Sequence, residues 1–128
     1  MKKYLKKAYV KRNLDSLCEF VHQQIDETNL EVDKVSIKTY SKERYDLINN
    51  YTVLARFVKN SKNNPIEFTN FNSKIDKIFK DTTVSVMIEH DINDHYIFLA
   101  LGVNKNWLEQ KDIVNSLTSK AGIIKYNL

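Results

Sequence analysis

The stretch from Thr82 to Val103, TTVSVMIEH-DIND-HYIFLALGV, most constrains what this chain can become. Two apolar runs flank a short polar segment, the pattern of a β-hairpin. Folding it at Asp91-Ile92-Asn93-Asp94 sets Val84 opposite Leu101, Val86 opposite Leu99, Ile88 opposite Ile97 and His90 opposite His95. The other face then carries Ser85 with Ala100, Met87 with Phe98, and Glu89 with Tyr96. Successive side chains alternate between faces, so a one-residue slip would mix the two sets and the register should be firm. Both faces are largely apolar, which predicts strands in the middle of a sheet, covered at least partly on both sides.

The remaining segments follow from periodicity. Leu14, Leu17, Cys18, Val21 and Ile25 recur at helical spacing and predict a helix over residues 13–28. Ahead of it lies a basic arm, residues 1–12, in which Tyr4, Leu5, Ala8 and Tyr9 gather on one side and Lys2, Lys3, Lys6, Lys7 and Lys11 on the other. The arm is either a separate helix or part of one long helix that shows different faces to different neighbours. Strands are predicted over residues 32–40, with Val35 and Ile37 inward, and 51–58, with Tyr51, Val53, Ala55 and Phe57 on one face. Tyr45 to Ile48 is ambiguous. Asn49-Asn50 can close a two-residue hairpin there, or the segment belongs to a loop. A loop through Pro65 precedes a short helix over residues 71–80, with Phe71, Ile75, Ile78 and Phe79 inward. A last helix is expected over residues 106–121, capped by Gly122. Ile123, Ile124 and Tyr126 then suggest a closing strand.

These elements predict a single α+β domain over residues 1–128, with a mixed, mainly antiparallel sheet of four to six strands packed by three helices. A chain of 128 residues with 42% apolar content can build one core without covalent staples. Cys18 is its one cysteine, so no intrachain disulfide forms, which suits a reducing compartment, and a cytoplasmic location is expected. No apolar run approaches the roughly 20 residues that span a bilayer, and the basic start lacks the apolar core of a signal peptide. Lysine outnumbers arginine 17 to 3 beside 14 Asn and 12 Ile, the usage of AT-rich coding. A low-GC bacterium, its phage or a mobile element is the expected source.

Charge singles out the arm. Six of the 20 basic residues lie in it with no acid, leaving 14 basic against 16 acidic in the rest. Lys2, Lys3, Lys6, Lys7, Lys11 and Arg12 are therefore candidates for phosphate contacts, with Tyr4 and Tyr9 stacking on bases. A solvated lysine face over a docked apolar stripe explains the same pattern, and a membrane surface is a less expected partner. Scarce arginine argues against specific base reading.

Two other clusters merit notice. His90, Asp91, Asp94 and His95 meet at the hairpin tip, where imidazoles and carboxylates can hold a divalent metal or move protons. A solvated turn whose histidine pair merely ends the apolar ladder is the preferred account of them. Cys18 and His22, four apart, are a possible thiolate–imidazole pair, and with His90 and His95 a possible set of zinc ligands. Cys18, however, sits on the core stripe, where cysteine is usually inert. Trp107 reads as core or interface. Glycine-rich phosphate loops and the standard catalytic motifs are absent, which lowers the case for an enzyme without closing it. No cofactor is expected. The sequence thus leads first to a non-enzymatic binding or regulatory protein, an inhibitor or accessory factor working through a protein partner or homodimer. The alternatives are a nucleic-acid-binding accessory protein using the arm, for DNA or RNA, and a metalloprotein or enzyme at the His90/His95 tip.

Overall fold

The structure is a computed structural model that describes residues 2–39, 51–60 and 62–126. It is an α+β domain in the order α1 (Lys2–Asp26), β1 (Lys34–Thr39), β2 (Tyr51–Val58), α2 (Pro65–Ile78), β3 (Ser85–His90), β4 (Tyr96–Val103), α3 (Lys105–Leu108) and α4 (Ile113–Tyr126). The four strands form one sheet in the order β1-β2-β4-β3, and every neighbouring pair is antiparallel. The possible strand at Tyr45 to Ile48 and the Asn49-Asn50 turn lie outside the described residues.

The arm and the first predicted helix are one continuous α1. Of the predicted stripe, Leu14, Leu17, Val21 and Ile25 are buried and Cys18 is half-buried; Val10 extends it, and Phe20 joins on an adjacent face. The dipole works against this helix, which has no acid in its first turn and no base in its last. Burial of the stripe against the sheet and the other helices is what holds it. α2 begins six residues earlier than its apolar spacing suggests. Asn64 caps it, its Oδ1 accepting the Ile66 N–H at 2.8 Å, and Pro65 follows at the first helical position. The four residues expected inward on α2 are all buried, although Phe79 falls at its C-terminal cap.

Four expectations are corrected. Of the two hairpin strands expected in the middle of the sheet, β4 is central but β3 is an edge strand. The hairpin register lies two residues further along: Val86 pairs with Leu101, Ile88 with Leu99, and His90 with Ile97 rather than His95. A shift of two keeps each side chain on its face, so the apolar alternation could not detect it. The turn decides it. The Asp91 carboxylate accepts the N–H of His95 at 2.7 Å and of Tyr96 at 3.2 Å, and Asp94 adopts a positive φ of 60°. The helix expected over residues 106–121 is broken in two, with Asp112 at φ 58° in the break. The closing strand is helical: Ile113, Leu117, Ala121 and Ile124 continue one stripe through Gly122, and the first three are buried.

All four helices pack on one face of the sheet. A single cluster joins their apolar side chains to Val53, Ala55, Phe57, Leu99, Leu101 and Val103 from β2 and β4. Phe57 is its aromatic hub, edge-on to Phe68 at 5.0 Å and to Phe71 at 6.4 Å. Trp107 belongs to the same core and meets Phe79 edge-on. No described helix packs on the opposite face, yet Thr52, Leu54 and Ala100 at its centre are buried, so the expectation of at least partial cover on both sides holds there.

Candidate functional site

Alternation on a one-sided sheet leaves a second set of side chains to account for. On the face away from the helices, the pairing aligns Ser36 with Leu54 and Ala100, then Met87; the next row holds Lys34, Arg56, Phe98 and Glu89. Leu54 and Ala100 are 8% and 6% exposed yet stand outside the helix-side core. Met87, at the edge, is 52% exposed. Tyr96 and Phe98, two apart on β4, set their rings 6.3 Å apart on this face. An aliphatic row therefore runs beside an aromatic pair.

One charge at the centre of this face, Arg56, is clamped. Arg56 donates from Nε to Asp33 Oδ2 at 2.6 Å, a second guanidinium nitrogen lies 2.5 Å from the same oxygen, and the guanidinium rests 4.8 Å from the centre of the Tyr96 ring. The Asp33 N–H also reaches the Arg56 carbonyl at 2.7 Å. A planar fork, held at both its edge and its face, is a rigid element. Near the hairpin tip, Lys59 pairs with Asp94, which holds that carboxyl below its ordinary value through the hydrogen bond and the neighbouring positive charge.

The other predicted sites are dispersed. His90 ends β3 and His95 lies in the turn, both exposed, while Asp91 serves the turn's backbone and Asp94 the ion pair. Among the described residues, no three His, Cys, Asp or Glu side chains come together to hold a metal. Cys18 is half-buried on α1. Burial, and then the Asp15 carboxylate, push its thiol above the ordinary value, which is the opposite of thiolate activation. His22 pairs instead with Asp26, one turn on.

On α1, Lys7, Lys11 and Arg12 are exposed and make no ion pair among the described residues, whereas Lys6 reaches Glu109 at 3.7 Å. Arg12 lies over the half-buried Tyr9 ring at 5.2 Å, so one face of that ring is already covered. Asp15 and Glu19 continue the same exposed line, making the helix surface cationic at one end and anionic beyond. The side chains of Lys2, Lys3 and Tyr4 lie outside the described set. No helix among the described residues is long and apolar enough to cross a membrane. No protein-family model, no curated protein and no solved structure matches the chain.

Sequence reasoning found the members of the open face but not their role. Two-sided apolar strands were visible; which side the helices would take was not. Arg56 and Asp33 carried no signal of their own, being ordinary charged residues at a strand and its approach.

Proposed function

We propose that this chain is a non-enzymatic binding protein that engages a protein partner through the open face of its sheet. The observation that carries the reading is the one-sided helix packing: four helices share one face, and the other exposes Met87 and half-exposes Tyr96 and Phe98 around a clamped Arg56, over the buried Leu54 and Ala100. An apolar patch with aromatic side chains and a clamped arginine is the composition of protein interfaces. The purified chain, immobilised, is exposed to host extract and to itself. Loss of the bound protein in a Tyr96→Ala/Phe98→Ala variant that keeps its fold, with retention in Lys7→Gln/Lys11→Gln, supports the reading. Binding that survives the sheet-face change and fails with the α1 change overturns it.

A second reading, nucleic-acid binding through α1, is supported by the three exposed cations without ion pairs. The acids further along the helix limit it to a short contact. Three phosphates neutralised correspond to a salt slope of about −2 to −3. Fluorescence anisotropy with DNA and RNA oligonucleotides tests this: Lys7→Gln/Lys11→Gln/Arg12→Gln flattens the slope if the contact is real, and no binding at low salt ends the reading.

A further inference from the structure

The sheet has two edges, and they are built differently. β1 carries Lys34 and Lys38, both exposed, and any self-pairing would gather four lysines on one ribbon. Lysine on an edge is a common guard against pairing with another chain. β3 reads Ser-Val-Met-Ile-Glu-His, with no lysine and no proline, and its ladder is regular from Ser85 to His90. Among the described residues it pairs with β4 alone. Its one large exposed apolar side chain, Met87, lies at the middle of the run from Val84 to His90.

We propose that two copies of the chain join through β3, antiparallel about a twofold axis at Met87, into one eight-stranded sheet. Around that axis Met87 faces Met87, Val86 faces Ile88, Ser85 faces Glu89 and Val84 faces His90, with no like charges opposed. An axis at Glu89 would set two carboxylates against each other, and one at Ile88 would leave Ser85 beyond the paired run. Val86 and Ile88 are half-buried against the helix-side core, so their contact across the axis extends that apolar layer from one copy to the next. A twofold axis perpendicular to the sheet keeps both sets of helices on one side, and the two open faces become continuous.

The proposal rests on the protein-binding reading and names a second copy as the partner. An edge contact of this length lies at the small end of interfaces, so a dissociation constant on the order of 10 µM or weaker is expected. Sedimentation velocity on the full chain over a concentration series should show a monomer–dimer equilibrium. Met87→Lys places two ammonium groups across the axis and should weaken the dimer at least about tenfold. In a Cys18→Ser background, Met87→Cys should form an intermolecular disulfide readily, because directly facing antiparallel residues lie within disulfide span. Ser36→Cys on the guarded edge should not. The crosslink decides the matter even if Met87→Lys fails to fold. A monomer at every concentration, a dimer indifferent to Met87→Lys, or equal crosslinking at both edges overturns the proposal. A monomer that still binds a different protein through Tyr96 and Phe98 ends self-pairing alone; a monomer that binds nothing ends both readings.

Discussion

Asn13 Nδ2 donates to the carbonyl oxygens of Leu108 at 2.8 Å and Gln110 at 2.7 Å, tying the middle of α1 to the break between α3 and α4. Those carbonyls lie at the end of the single helical turn of α3 and just beyond it, where the helical ladder stops, and a buried carbonyl without a donor is costly. Asn13 is itself 3% exposed. This one amide therefore stabilises both the interruption of the last helical segment and the seating of α1 upon it.

Asn13→Ala should lower stability by about 1–3 kcal/mol, because it strands two carbonyls rather than merely removing a neutral contact. Asn13→Asp should cost more, since a carboxylate has no donor and sets negative charge against both oxygens. Urea unfolding followed by circular dichroism measures both.

Gly122 lies inside α4, its φ is not positive, and an added Cβ there meets nothing within 4 Å. Gly122→Ala should raise stability by about 0.5–1 kcal/mol through helix propensity and a less flexible unfolded chain. Were the segment a closing strand behind a glycine cap, the same change would destabilise, so thermal melting of this variant also tests the correction made to the C-terminus.

How far the fold was legible depended on whether a signal was periodic or local. The stripes of α1, β2 and α2 were readable because burial repeats at the spacing of the element, and the predicted α2 set is indeed buried. The two-residue register error was invisible to that pattern, because alternation is unchanged by an even shift; only the backbone bonds to Asp91 and the left-handed Asp94 distinguish the registers. At the C-terminus, Ile123-Ile124 read locally as β, yet Ile124 continues the stripe of Ile113, Leu117 and Ala121 once the helix is allowed to pass through Gly122. Asn64-Pro65, a cap followed by a first-turn proline, marks the start of α2, but the polar run ahead of it carries the signal of a loop. The open face was the least legible. Apolar residues on both sides of β4 do not say which side the helices will choose, and the Arg56–Asp33–Tyr96 arrangement joins three segments with no common spacing.

Cys18 should resist alkylation at neutral pH, with its reaction rate rising only above the ordinary thiol range, because burial and Asp15 favour the protonated form. The sign for stability follows. A thiol pKa raised in the folded state means that the folded chain holds its proton longer than the unfolded one. Stability is then full below the unfolded value and declines as pH rises from there toward the folded one. Asp15→Asn should lower the thiol pKa modestly and speed alkylation; an unchanged or slower rate would show that Asp15 has no part.

Asp94 shifts the other way. The hydrogen bond and charge of Lys59 hold its carboxyl below the ordinary range, so its contribution to stability is present above the unfolded carboxyl value and is lost as pH falls through the folded one. Both partners sit near the hairpin tip, Asp94 largely in solvent, so salt should weaken the coupling. Asp94→Asn keeps a residue that tolerates positive φ while removing the charge, and should flatten the acid limb of the stability profile by lowering the neutral plateau by the small amount the exposed pair contributes, leaving the acid end unchanged. Asp94→Ala should lower the plateau as well, because alanine is strained at a φ of 60°. The difference between these two variants, measured by urea unfolding from acid to neutral pH, separates the electrostatic part of the turn from its backbone part. An acid limb unchanged in Asp94→Asn would show that the Lys59 pair is not formed in solution.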